Sequence, residues 1–191
     1  GYTPRSATSP VAFLNVTVNN ATGSTLTAAR GTTFTSTVDG TTYNYLVKDA
    51  TTISPVDGVY TFSNLPVYEG TLVTNKYTVD TSNADQRFLI KNSLVDTDTL
   101  LVTVQNSSSD TTTNTYTLAS DLADITSTSK VYYLEGAEDQ QYEVKFGDGV
   151  LGNALSTGNI VTLSYIVTNA EESNGASLFS LSGNIGGFSN V

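Results

Sequence analysis

One pattern constrains this chain more than any other: short apolar alternations of period two, recurring from end to end and separated by glycine- and asparagine-marked breaks. Leu14, Val16 and Val18 alternate with Asn15 and Thr17, and Tyr43, Tyr45 and Val47 alternate with Asn44 and Leu46. Val102 and Val104 flank Thr103, and Leu163, Tyr165 and Val167 alternate with Ser164 and Ile166. Successive side chains of a strand point to opposite faces, so such runs predict half-buried strands. Ile166, apolar on the other face of the last run, predicts a strand covered on both sides. Asp39-Gly40 and Asp57-Gly58 suit tight turns that need positive φ. Asn19-Asn20 with Gly23, the polar stretch 105–114, and Gly158-Asn159 mark further breaks. Helical periodicity is nearly absent; Ser120 to Ile125 offers an N-cap and enough apolar spacing for one turn. The expected fold is all-β, with antiparallel sandwich-like sheets and at most one or two short helices. The polar stretch Asp80 to Gln86 is expected to divide it near 80–92, into a first β subdomain at 1–85 and a second at 86–191.

Composition narrows the chemistry. The net charge is −10, and only eight Lys and Arg are present in 191 residues. They are scattered singly, which counts against a basic stripe for nucleic acid and against docking on anionic membranes. Cys and His are both absent. Thiolate metal sites, disulfides and every Ser-His or Cys-His catalytic pair are therefore excluded. No apolar run approaches the length of a membrane-spanning helix. Met is absent as well; the chain is therefore expected to be a piece of a longer product.

The stretch "GDGVLG", residues 147–152, matches G-x-G-x-x-G and follows the alternation Tyr142, Val144, Phe146. A dinucleotide loop needs a helix opening at its last glycine to hold the pyrophosphate. Only "NALST" follows Gly152 before Gly158-Asn159 breaks the chain again. A kinase-type glycine loop needs a downstream Lys, and no Lys or Arg follows Lys145. The preferred reading is a turn between strands, built on Gly147, Asp148, Gly149 and Gly152, with Gly158 and Asn159 marking the next break. No cofactor-binding role is assigned to it.

The carboxylate pairs Asp96/Asp98, Asp121/Asp124, Glu138/Asp139 and Glu171/Glu172 lack the single-segment ligand spacing of a calcium loop, and they read as solvated loop charges. No metal or catalytic residue is assigned. Seven tyrosines (Tyr43, Tyr45, Tyr60, Tyr77, Tyr116, Tyr142, Tyr165) sit at alternating strand positions, where packing is the ordinary use. A glycan-binding or adhesin-like β-sandwich is the alternative that this aromatic, β-rich composition permits.

Three longer stretches carry a resemblance: "GYTPRSATSPVAFLNVTV" at the start, "FLIKNSLVDTDTLLVTV" in the middle, and "YEVKFGDGVLGNALSTGNIVTLSYIVTNAEESNGA" towards the end. Together they resemble the baseplate wedge protein of T-even-type contractile-tailed phages, within the baseplate J-like group. The most specific part is Phe146-Gly147-Asp148-Gly149 with Gly152, Gly158-Asn159 and Asn174-Gly175. The resemblance implies a structural virion protein located in the tail baseplate and assembled in the host cytoplasm. It implies pairing with a second copy and joining to other wedge subunits, in a ring around the hub that rearranges on sheath contraction. It implies no enzyme activity, no cofactor and no small-molecule substrate, and it supplies no contact motif from which interface residues could be numbered. The uncharged tail "SLFSLSGNIGGFSNV" is expected to pack against a following segment or another subunit.

Overall fold

Period-two alternation becomes strand throughout. The computed structural model describes residues 5–189 and Val191. Its strands are β1 (Val11–Val18), β2 (Leu26–Ala28), β3 (Thr33–Val38), β4 (Thr41–Val47), β5 (Thr51–Ile53), β6 (Tyr60–Glu69) and β7 (Thr71–Thr78). They continue as β8 (Phe88–Ile90), β9 (Val95–Gln105), β10 (Thr113–Leu118), β11 (Val131–Gly136), β12 (Tyr142–Phe146), β13 (Ile160–Val167) and β14 (Ser180–Ser182). Strand accounts for 50% of the chain and helix for 5%. The fold is all-β, as the alternation predicts. Among the described residues the helical content is three single-turn 3₁₀ segments, Leu122–Asp124, Glu138–Gln140 and Ala170–Ser173. The first is the turn expected at Ser120 to Ile125, capped by the Asp121 carboxylate accepting from the Ala123 N–H.

The tight turns are where their residues demand them. Asp39 and Gly40, at φ 49° and 82°, join β3 to β4 directly, Val38 standing opposite Thr41. Asp57 and Gly58, at φ 51° and 78°, close a second two-residue turn in which Val56 and Val59 exchange backbone hydrogen bonds of 2.9 Å each. Both have the positive φ at two successive residues that a type I′ turn requires.

The chain forms two units, and the division is not the expected one. Thr8–Leu72 and Ile166–Val191 make a terminal unit; Val73–Tyr165, with the described residues up to Ala7, make a middle unit. The stretch 80–92 lies inside the middle unit. Its polar residues bond to one another instead of forming a linker: the Asp80 N–H donates to Gln86 Oε1 at 2.9 Å, and Gln86 Nε2 donates to the Thr78 carbonyl at 2.8 Å.

In the terminal unit five strands lie in the order β1-β6-β4-β3-β14, and β2 pairs with β5 beside them. Val16, Val18, Phe34, Tyr45, Phe62, Val67 and Ile185 are among its buried core. Fully burying one such side chain stabilises by about 1.5–3 kcal/mol. The tail expectation is corrected here. Ile185 is fully buried in this unit's own core, β14 pairs with β3, and Phe179 meets Tyr45 edge-on at 5.0 Å. Of the tail's large apolar residues, Leu178 and Val191 are left exposed, Leu178 at 84%. The tail's apolar spacing therefore serves its own unit.

A corner of this unit holds a buried carboxylate. Glu69 is 0% exposed. It accepts from Thr168 Oγ1 (2.6 Å), the Asn169 N–H (2.9 Å) and Asn169 Nδ2 (2.7 Å). Hydrogen bonds of this kind offset the desolvation of a buried carboxylate.

In the middle unit the order is β7-β13-β9-β10-β11-β12-β8. β9–β10, β11–β12 and β12–β8 are antiparallel, whereas β10 and β11 run parallel. Parallel neighbours need a crossover, and residues 119–130, with the first 3₁₀ turn, supply it. Leu163, Ser164, Tyr165 and Ile166 are all buried, so β13 is covered on both faces as its sequence predicts.

Candidate functional site: the glycine loop after β12

β12 delivers the loop from an aromatic row. Phe146 stacks edge-on against Phe88 and Tyr116, each at 5.4 Å, and Phe88 meets Tyr77 at 5.5 Å. Edge-to-face pairs of this geometry add about 0.5–1.5 kcal/mol each beyond their buried area. The ring of Phe146 therefore fixes where the next residue, Gly147, begins.

From Gly147 the chain does not make a simple hairpin. β12 and β13 are not neighbours in the sheet, so residues 147–159 cross over between them. The loop first closes on itself. Gly147 forms a parallel bridge with Ala154, and a Cβ placed on Gly147 would lie 2.2 Å from the carbonyl carbon of Gly152. Gly149 and Gly152 take φ of 89° and 94°. Gly147 is thus required by close approach, and the other two by backbone angle.

The hydrogen bonds answer the nucleotide question. Asp148 Oδ1 accepts from the N–H groups of Val150 and Leu151, each at 2.9 Å. The Gly149 N–H donates to the Gly152 carbonyl (3.0 Å), Gly152 to Thr126 (3.1 Å) and Asn153 to Ser129 (2.8 Å). Every backbone donor from 149 to 153 is therefore committed within the protein. A phosphate cradle needs such donors converging on the ligand; here two of them converge on the chain's own Asp148 carboxylate and the other three go to backbone carbonyls. Those bonds from Leu151 and Val150 hold the Asp148 carboxyl below the usual carboxylate range.

Gly158 and Asn159 form a separate anchor at the far end of the loop. The Gly158 N–H donates to the Val79 carbonyl, and the Val79 N–H donates back to Asn159, at 2.9 and 2.8 Å. The Asn159 side chain accepts from the Ser156 N–H and donates to the Asn106 carbonyl, both at 2.8 Å. The six turn residues therefore serve one crossover: Gly147 to Gly152 knot its start, and Gly158-Asn159 pin its end.

What the loop presents outward is apolar. Val150 is 71% exposed, and Leu151 and Leu122 are also exposed. Leu151, Leu122, Tyr133, Phe146 and the Gly147-Asp148 backbone line a shallow depression. Two consecutive apolar residues inside a glycine turn, where polar ones are usual, were the available signal for this surface. Of the seven tyrosines, Tyr45, Tyr60, Tyr116, Tyr142 and Tyr165 are buried, and Tyr43 and Tyr77 are half-buried. Their faces are used in packing. No group of three or more acidic side chains is placed to hold a metal among the described residues.

No protein-family model matches the chain, and no curated protein matches it.

Proposed function

We propose that this chain is a structural segment of a contractile-phage baseplate wedge subunit, non-catalytic, joining wedge subunits into the ring around the tail hub. The observation that carries the reading is the glycine constellation, Phe146-Gly147-Asp148-Gly149, Gly152 and Gly158-Asn159, in the pattern that resembles wedge proteins. The geometry of that constellation supports it. The loop spends its polar groups on holding itself in place and offers Val150 and Leu151 to the exterior. A pre-ordered loop with an apolar tip is suited to subunit contact, because little conformational entropy is lost on association. The partners on this reading are a second copy of the parent protein and other wedge subunits, and the location is the tail baseplate of the virion.

The test is made on contractile-tailed particles whose genome encodes the chain. Purified tail ends should contain its peptides. A Val150→Asp, Leu151→Asp double variant should leave tails without assembled baseplates, while the isolated variant chain melts as the parent does. Tails that lack the chain, or that assemble normally with the double variant, sink the reading.

A further inference from the structure

Among the described residues the terminal unit has two sheet edges that carry no further strand, and both border one groove. In the order β1-β6-β4-β3-β14 the outer strands are β1 and β14. Phe13, Leu14 and Val16 of β1, Phe34 of β3, and Phe179 and Leu181 at β14 line a groove of about 260 Å³, with Asn15, Thr17 and Val191 completing the lining.

The register of β1 shows which groups face outward. The Glu69 N–H donates to the Pro10 carbonyl at 2.8 Å, and Val11 stands opposite Tyr68. Antiparallel alternation then turns the N–H and C=O of Ala12 towards β6 and those of Val11 and Phe13 away from it. Pro66 fits the same register. It stands opposite Phe13, so its missing N–H lies on the side away from β1, past the last β4 pair, Val47 with Val67.

Edge strands are normally guarded by Lys, Pro, shortness or a bulge that breaks them. β1 has eight residues, "VAFLNVTV", with no charge and no Pro. The register shift between Leu14 and Val16 puts the extra residue on β6, leaving β1 continuous. Phe13 stands 68% exposed on its outer face.

We infer that this groove is a strand acceptor. It takes one extended, uncharged segment of a partner polypeptide, apolar at alternate residues, hydrogen-bonded to Val11 and Phe13 and seated over Phe34 and Leu181. The free backbone edge specifies an extended segment. The apolar floor specifies the alternation, since one face of an added strand meets the groove and the other meets water. None of the lining side chains is charged, in a chain of net charge −10; an ionic side chain seated there would be desolvated with no oppositely charged side chain in the lining to offset the loss. A second copy's β1 already carries β6 along one side, so a single added segment suits the space between two edges better than another sheet does. The inference stands apart from the baseplate reading and does not depend on it.

The experiment uses the whole chain and a labelled seven-residue peptide alternating Val and Thr, followed by fluorescence anisotropy. Saturable binding is expected. The same peptide N-methylated at alternate residues, and a scrambled peptide with its valines in one block, should each bind at least tenfold more weakly. Phe13→Pro removes a donor that the β1–β6 ladder does not use; it should weaken binding about tenfold, with Phe13→Thr within about threefold of the parent. Circular dichroism melts check that Phe13→Pro still folds, and Val11→Pro is the second edge variant. The N-methylated peptide probes the same backbone edge without any variant. Absence of saturable binding, equal binding of the blocked or scrambled peptide, or a dimer in sedimentation that Phe13→Pro dissociates would each overturn the proposal.

Discussion

A Cβ added to Gly147 would lie 2.2 Å from the carbonyl carbon of Gly152, and one added to Gly70 would lie 2.4 Å from the carbonyl oxygen of Val167. Both are backbone against backbone, one in each unit, and both demand glycine because no side chain fits. They differ in what closes them. The first is closed within a single six-letter word, so its requirement is visible as "GDGVLG". The second is closed by a segment far along the chain: Glu69, the residue before Gly70, binds Thr168 and Asn169 at separations of 99 and 100 residues. A close approach can be read from sequence when its two sides are neighbours in sequence. When tertiary packing brings them together, the local word carries no trace of the demand.

The largest effect is expected at the long-range corner. Gly70 combines φ of 136° with contacts under 3 Å to both Val167 O and Ile166 Cγ2. Gly70→Ala should cost roughly 3–4 kcal/mol, as strain and overpacking act together in a buried site. Amide exchange localises the loss: protection should fall in Thr8–Leu72 and Ile166–Val191 before it falls in Val73–Tyr165. A melting point within a degree of the parent's would show that the corner can relax, and that its resemblance to the glycine loop is only geometric.

Glu69→Gln probes the same corner through its polar half. One carboxylate oxygen becomes an amide nitrogen facing groups that are themselves donors. The expected cost is about 2 kcal/mol, in the range for losing a hydrogen bond to a charged group. Denaturant melts of the single and double variants with Thr168→Val should be non-additive, because the two residues share a bond. Additive losses would separate Glu69 from Thr168.

In the glycine loop the two neighbouring glycines should part company. Gly147→Val meets backbone, whereas a Cβ on Gly149 meets only the Ala154 side chain, at 3.8 Å, and the cost there is φ alone. Gly147→Val should lose roughly 2–3 kcal/mol and Gly149→Val about 1–2 kcal/mol, both in the middle unit. Equal losses would mean that backbone angle, and not close approach, sets the requirement at both.

The same contrast explains what the sequence disclosed. Two-residue turns at Asp39-Gly40 and Asp57-Gly58, the both-face burial of β13 and the all-β class rest on neighbours in sequence, and they were legible. The division of the chain was not. Asp80 to Gln86 has the composition of a linker, but its polarity is consumed by its own bonds and by Thr81 with Thr157 at 2.6 Å. The tail misled for a related reason: Ile185 and Phe179 have apolar spacing but no alternation that names β3 and Tyr45 as their partners. The outward-facing groups of β1 required register, which only the pairing with β6 supplies. Within the candidate site the glycines were legible, and the commitment of every donor from 149 to 153 was not, since Thr126 and Ser129 lie beyond the local word.

The smallest effect separates the carboxylate's part in the glycine loop from that of the glycines. Asp148 ionises more readily in the folded loop than in the open chain, because Leu151 and Val150 donate to its charged form. A carboxyl with a lowered folded value contributes stability that is complete above the ordinary Asp value, near 3.9. That contribution is lost as pH falls through the lower folded value, since the unfolded chain takes up the proton first. Amide exchange and chemical shifts of Val150 and Leu151 should therefore change on acidification below about pH 4, and Asp148→Ala should show the acid-state signals already at neutral pH. Added salt should leave both amides nearly unmoved, because the donors are neutral N–H groups; the exposed Lys145–Glu135 pair at 2.6 Å is the contrast, and salt should weaken it. If acid leaves Val150 and Leu151 untouched while Gly147→Val still destabilises the unit, the loop is held by its backbone approach, and the aspartate between the two glycines is replaceable.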